Sequence, residues 1–141
     1  MKRFVLLVSS LLLLLSLTAC SPRPYVFKQP MEQIARIEIV DAKNNLEYTV
    51  KKSLSEEEQM AFLEEFCSLK FHTIHFGEPT SVGGDCVIIH YLDGSYEIIS
   101  KDRCYYVKEK KPGKGKNIRR NCGDDQAFAD LLNRFCIDSD E

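Results

Sequence analysis

Cysteine and histidine are the side chains of this 141-residue chain with the most chemistry in them; there are six and three of them. Cys20 differs from the other cysteines in its setting. It follows Leu17-Thr18-Ala19, and the small residues before it leave its backbone open to an enzyme. A thiol is the best side-chain nucleophile for alkylation, so Cys20 is the candidate for covalent modification. Cys86 and His90 fall on one face of an expected strand, the arrangement of a thiol beside a base. A disulfide or a plain buried thiol is the simpler reading of Cys86. His72 and His75 would share a helical face, but their stretch reads as extended, where they point apart. The chain has no Cys-x-x-Cys and no His-Glu-x-x-His, so neither a metal nor another cofactor is expected. Ser81 and Ser100 lack the setting of an activated nucleophile, and Gly83-Gly84-Asp85 reads as a turn rather than a phosphate loop. No catalytic residues are expected.

Charge supplies a second kind of site. Lys108, Lys110, Lys111, Lys114, Lys116, Arg119 and Arg120 are opposed within their stretch only by Glu109. The plain reading is a solvated loop. The sharper one is contact with anionic lipid, a cell-wall polymer or an acidic protein. Nucleic acid is not implied. From Cys20 onward the 19 basic side chains lose Lys2 and Arg3, while all 21 acidic ones remain, so the balance is acidic.

The first residues position Cys20. Lys2 and Arg3 are followed by an apolar run from Phe4 to Leu17. It is shorter than the roughly 20 residues of a spanning helix and suits a cleaved signal segment. With Leu17-Thr18-Ala19-Cys20 behind it, the start resembles the lipobox of bacterial lipoproteins. That resemblance implies diacylglycerol on the Cys20 sulfur, cleavage before Cys20, and a domain held at a cell membrane or outer membrane on the extracytoplasmic side. Ser21 stands where lipoproteins kept at an inner membrane typically carry Asp. Residues 1–19 are then the signal peptide and 20–33 a proline-rich tether, with Pro22, Pro24 and Pro30. Fully extended, the tether would lift a domain at 34–138 on the order of 40 Å from the bilayer.

An exported domain meets oxidising conditions, so disulfides are expected. Five cysteines besides Cys20 leave at least one outside the pairs. Cys104 and Cys122 lie symmetrically about Gly113, where an antiparallel ribbon sets them opposite. Cys67 and Cys136 each end a helical stretch behind a phenylalanine, so adjacent helices would join them. Each bond would add roughly 2–4 kcal/mol.

The remaining elements follow from periodicity. Ile37 and Ile39 alternate with Arg36 and Glu38, and Leu46, Tyr48 and Val50 alternate with Glu47, Thr49 and Lys51, which predicts a hairpin of half-buried strands. Ser55 and Glu58 form a capping box for a helix over 56–69. Its inner stripe would hold Phe62, Leu63, Phe66 and Cys67. Residues 71–76 read as a short strand and 77–85 as a loop. Asp93-Gly94 predicts a tight two-residue turn that sets Tyr91 opposite Tyr96, Ile89 opposite Ile98 and His90 opposite Glu97. Residues 103–108 read as a strand. A last helix, capped by Asp124 or Asp125, carries Phe128, Leu131, Leu132, Phe135 and Cys136. The sum is an α+β domain, an antiparallel sheet of hairpins with two helices on one face. This order resembles small uncharacterised bacterial lipoproteins and, in outline, secreted β-lactamase-inhibitor-like proteins. The expected function is a non-enzymatic binding or accessory role in the envelope. The alternatives are a secreted-type enzyme inhibitor and a thiol- or metal-binding envelope protein.

Overall fold

Alternation in the chain is realised as strands that pair with their neighbours in antiparallel fashion. The computed structural model describes residues 22–73, 82–108, 115–118, 120–122 and 124–137. In chain order the strands are β1 (Ile34–Ala42), β2 (Tyr48–Ser53), β3 (Phe71–Thr73), β4 (Gly84–Tyr91), β5 (Tyr96–Ile99), β6 (Cys104–Val107), β7 (Gly115–Ile118) and β8 (Arg120–Cys122). Helix α1 is Glu56–Ser68 and α2 is Asp125–Ile137. A six-stranded sheet runs β2-β1-β4-β5-β6-β7, and β3 and β8 form a separate two-stranded sheet. The α+β class expected from the sequence is the one observed.

The helices lie on one face of the large sheet because their apolar stripes match it. Phe62 and Phe66 of α1 and Phe128, Leu131 and Leu132 of α2 are buried with Ile37, Ile39, Val87, Ile89 and Ile99. Phe135 is half-buried and meets Phe62 edge-on, with ring centroids 5.4 Å apart. The capping box at α1 is present in both directions. Ser55 Oγ accepts from Glu58 N at 3.2 Å, and Ser55 N donates to the Glu58 carboxylate at 2.7 Å. Lys52 adds an ion pair to Glu58 at 2.7 Å. That cation, then the bond from Ser55, hold the Glu58 carboxyl below its ordinary range.

The opposite sheet face is buried too. Val40, Cys86, Ile88, Tyr96, Ile98 and Val107 form a second cluster, with Leu46, Tyr48 and Tyr105 packed against it. Tyr96 and Ile98 therefore turn away from the helices. The cause is the β4–β5 turn. Gly94 N donates to Tyr91 O at 3.0 Å, and Tyr91 N donates to Ser95 O at 2.9 Å. Leu92, Asp93 and Gly94 make a three-residue loop, a type I turn closed by Gly94 at φ +83°. Pairing slips by one residue relative to a two-residue turn: His90 lies opposite Tyr96, and Ile89 opposite Glu97. A slip of one flips every side chain of a strand to the other face. A further boundary also moves, since β4 already starts at Gly84, inside the expected 77–85 loop.

Gly94 is open to a direct test. A Cβ there meets nothing within 4 Å, so the cost of Gly94→Ala is that of the left-handed backbone alone, about 1–2 kcal/mol. Urea denaturation should show that loss, and Gly94→Asn should lose less. Equal midpoints for wild type and Gly94→Ala would exclude this turn.

Candidate functional site

The slip at Gly94 carries Glu97 into the core. Its side chain is 0% exposed, on the helix-covered face of the sheet. A carboxyl group there is costly unless its oxygens are hydrogen-bonded. Three donors converge on it. The Tyr25 hydroxyl donates to Oε2, and the Tyr91 hydroxyl and the Lys28 backbone N–H donate to Oε1. Burial comes first, then the neighbouring Cys104 thiol and the Glu97 carboxyl, in holding the Tyr25 hydroxyl far above its ordinary pKa. Burial, followed by the charge of Glu97, raises Tyr91 in the same way. Both hydroxyls thus stay protonated and stay donors.

Two of the three donors come from residues 22–33, expected to be a free tether. That expectation is corrected here. Arg23 exchanges backbone hydrogen bonds with Phe71 at 3.0 and 2.8 Å. Tyr25 is buried among Phe27, Phe66 and Phe71, with ring centroids 5.1–5.4 Å away. Met31–Gln33 form a 3₁₀ turn that leads into β1, and Gln33 O accepts from Leu92 N at 2.9 Å. Three prolines stiffen the segment, but Tyr25 and Phe27, two apart, give it an apolar side that the sheet and α1 cover. That aromatic pair was the signal available in the sequence.

A second buried acid lies on the other face. Glu38, expected to point to solvent, is buried because β1 sits between β2 and β4 and is covered on both sides. His90 Nε2 lies 2.6 Å from Glu38 Oε2, and Arg36 Nε lies 3.1 Å from Oε1. The expected surface pair of His90 with Glu97 is therefore replaced by a half-sheltered pair with Glu38. Ser53 Oγ donates to Glu38 at 3.4 Å, a long bond for a nucleophile awaiting activation.

The remaining expected sites are scattered. Cys86 and His90 do share a face, but four residue steps along the strand set them about 13 Å apart. Burial first, then Asp85 and Asp41, push the Cys86 thiol up to about 12. The thiolate is the reactive form, so this cysteine is shielded rather than activated. Burial also raises the Cys67 and Cys136 thiols. Cys67, Cys86, Cys104 and Cys136 are all thiols in the structure, so Cys67 and Cys136 are not joined. Strand register corrects the ribbon argument for the other pair: Cys104 lies opposite Ile118, while Cys122 lies opposite Phe71 in the other sheet. Among the described residues no cluster of His, Cys, Asp and Glu has the makings of a metal site. His75 and Ser81 lie outside the described residues. A surface groove of about 590 Å³ runs between α1 and α2, and Glu65 and Arg134, which line it, form an ion pair.

Of the basic residues, exposed Lys108 follows β6, Lys116 is in β7 and Arg120 is in β8. Lys110, Lys111, Lys114 and Arg119 lie outside the described residues. Comparison with family models, curated proteins and solved structures finds no match for this chain.

Proposed function

We propose that this chain is an envelope lipoprotein, anchored by diacylglycerol on Cys20, whose domain binds a partner at the membrane surface without catalysing a reaction. The observation that carries the reading is Leu17-Thr18-Ala19-Cys20 behind Lys2-Arg3 and an apolar run. The domain's chemistry is consistent with it. Its buried Glu97 is occupied in fastening residues 25 and 28, and the buried Cys86 thiol is held protonated. The partner is of the kind a basic surface attracts: anionic lipid, a wall polymer or an acidic protein. Two acyl chains hold a protein to a bilayer stably, whereas one holds it marginally.

The test is metabolic labelling. Wild type should incorporate labelled palmitate and appear as the processed chain. Cys20→Ser should remain an unlabelled precursor, since a hydroxyl does not replace the thiol in thioether formation. Label in the Cys20→Ser chain would overturn the anchor. Clear turnover by the purified domain in a broad hydrolase screen would overturn the non-catalytic half.

A further inference from the structure

Residues 22–33 are held to the domain at few points. Tyr25 is their one buried side chain, Phe27 and Gln29 are half-buried, and the rest are exposed. Residues 24–30 belong to no helix or strand, and Pro22, Pro24 and Pro30 bring no N–H to fasten them. The segment is held by the backbone pair of Arg23 with Phe71, by the seat of Tyr25 against Phe66 and Phe71, and by the bonds of Tyr25 and Lys28 to Glu97. Gln29 adds an exposed bond to Asp93 at 3.1 Å. Segments with few buried apolar contacts and exposed bonds open while the rest of a domain stays folded.

The rest of this domain has its own core. Phe62, Phe128 and Leu131 of the helices share one cluster with Ile37, Val87 and Ile89 of the sheet, and none of these belongs to the segment. The six-stranded sheet takes no strand from it either. At its far end Gln33 O accepts from Leu92 N beside the start of β1, so a released segment swings from residue 33.

Release changes reach. With Arg23 docked, three residue steps part Cys20 from the fold, at most about 10 Å. With the segment free, the first fastened residue is Gln33, thirteen steps away, at most about 45 Å. We propose that residues 22–33 are a strap that leaves the folded domain as a unit, with Glu97 as its latch, and that strap docking sets how far the anchored domain reaches from the bilayer. The reach rests on the lipid anchor at Cys20; the detachment does not. A partner set further from the bilayer than the docked domain extends binds only the released form and shifts the balance toward it. Its apparent affinity falls with the released fraction, so Glu97 regulates that binding without touching the partner.

The experiment uses the full processed chain on phosphatidylcholine bilayers, after intact mass has reported whether Cys20 carries lipid. Hydrogen exchange resolved by residue compares the Lys28 amide, bonded to Glu97, with the amides of Val87–Ile89 inside the sheet. Lys28 should exchange at least about ten-fold faster than those of the sheet, and Glu97→Gln should speed Lys28 by about another ten-fold while the sheet keeps its rates. One common rate, or equal acceleration of both by Glu97→Gln, would overturn the strap as a separate unit. The double variant Tyr25→Ala, Phe27→Ala removes the aromatic seat, and neutron reflectivity reads the height of the protein layer. The layer should move outward by on the order of 10–20 Å with sheet exchange still slow. Loss of protection across Val87–Ile89 in that variant would show the segment to be part of the core and overturn the detachment. A lipidated variant with a free strap and an unmoved layer would overturn the control of reach and leave the anchor standing. A chain without lipid on Cys20 would overturn the anchor, and the control of reach with it.

Discussion

Phe66→Ala should destabilise the domain by about 3–5 kcal/mol, the usual cost of emptying a fully buried phenylalanine site. The position is one of concentrated packing. Phe66 is 0% exposed and touches four other aromatic rings: Tyr25 at 5.4 Å, Phe62 at 5.7 Å, Phe71 at 5.5 Å and Phe27 at 5.9 Å between centroids. Those rings belong to the N-terminal segment, to α1 and to β3, so a void at Phe66 loosens three elements together. Stability of a domain this size is typically 5–15 kcal/mol, and the variant should lose a large share of it. Denaturant unfolding of the chain from Ser21 onward measures the effect. A loss below 1 kcal/mol would mean that α1 does not present this face to the sheet. Met60→Ala is the control: that side chain is 71% exposed and should change little.

Glu97→Ala should cost a similar amount by a different route. It strips the acceptor from two tyrosine hydroxyls and one backbone N–H, all donating inside the fold. Each buried donor left without a partner costs about 1–3 kcal/mol. Tyr25→Phe alone should be milder, since it removes one donor and leaves Glu97 two. In the Glu97→Ala background Tyr25→Phe should cost almost nothing, because the orphaned hydroxyl goes with it. Trypsin offers a second readout. With Lys28 N released from Glu97, cleavage after Lys28 should speed up well before global unfolding. Additive losses in the double variant, with no change in cleavage at Lys28, would sever the link between Glu97 and the N-terminal segment.

Local signals carried most of the fold. Ser55 and Glu58 bracket the start of α1 because a capping box is short-range chemistry. Phe62, Phe66, Phe128, Leu131 and Leu132 were legible because helical spacing repeats over several turns. The β4–β5 register was not, because Asp-Gly serves two turns. It suits a two-residue loop with positive φ at both positions, and also a three-residue loop with positive φ at the glycine only. Here only Gly94 takes positive φ. The choice also depends on whether Glu97 ends up in water or in the core, and charged side chains are rarely buried unless paired. Two of its three partners, Tyr25 and Lys28, sit some seventy residues away, and nothing near Glu97 in the sequence announces them. Glu38 was misread for a related reason. Alternation marks a strand, but only the sheet order shows that both of its faces are covered.

The bond between Tyr25 and Glu97 joins residues 72 positions apart, and that distance sets an order of events. Contacts across so long a stretch close late in folding, since the loop entropy falls due before the contact rewards it. A chain emerging from its first residue onward cannot fasten residue 25 until residue 97 has appeared and found its place in the sheet. Until then residues 22–28 lack that fastening and are reachable by any enzyme that must grip them in extended form. Once Glu97 is seated, the same residues are stapled to β3 and to the aromatic core. The bond to Glu97 therefore also closes the interval in which residues 22–28 are open to a protease.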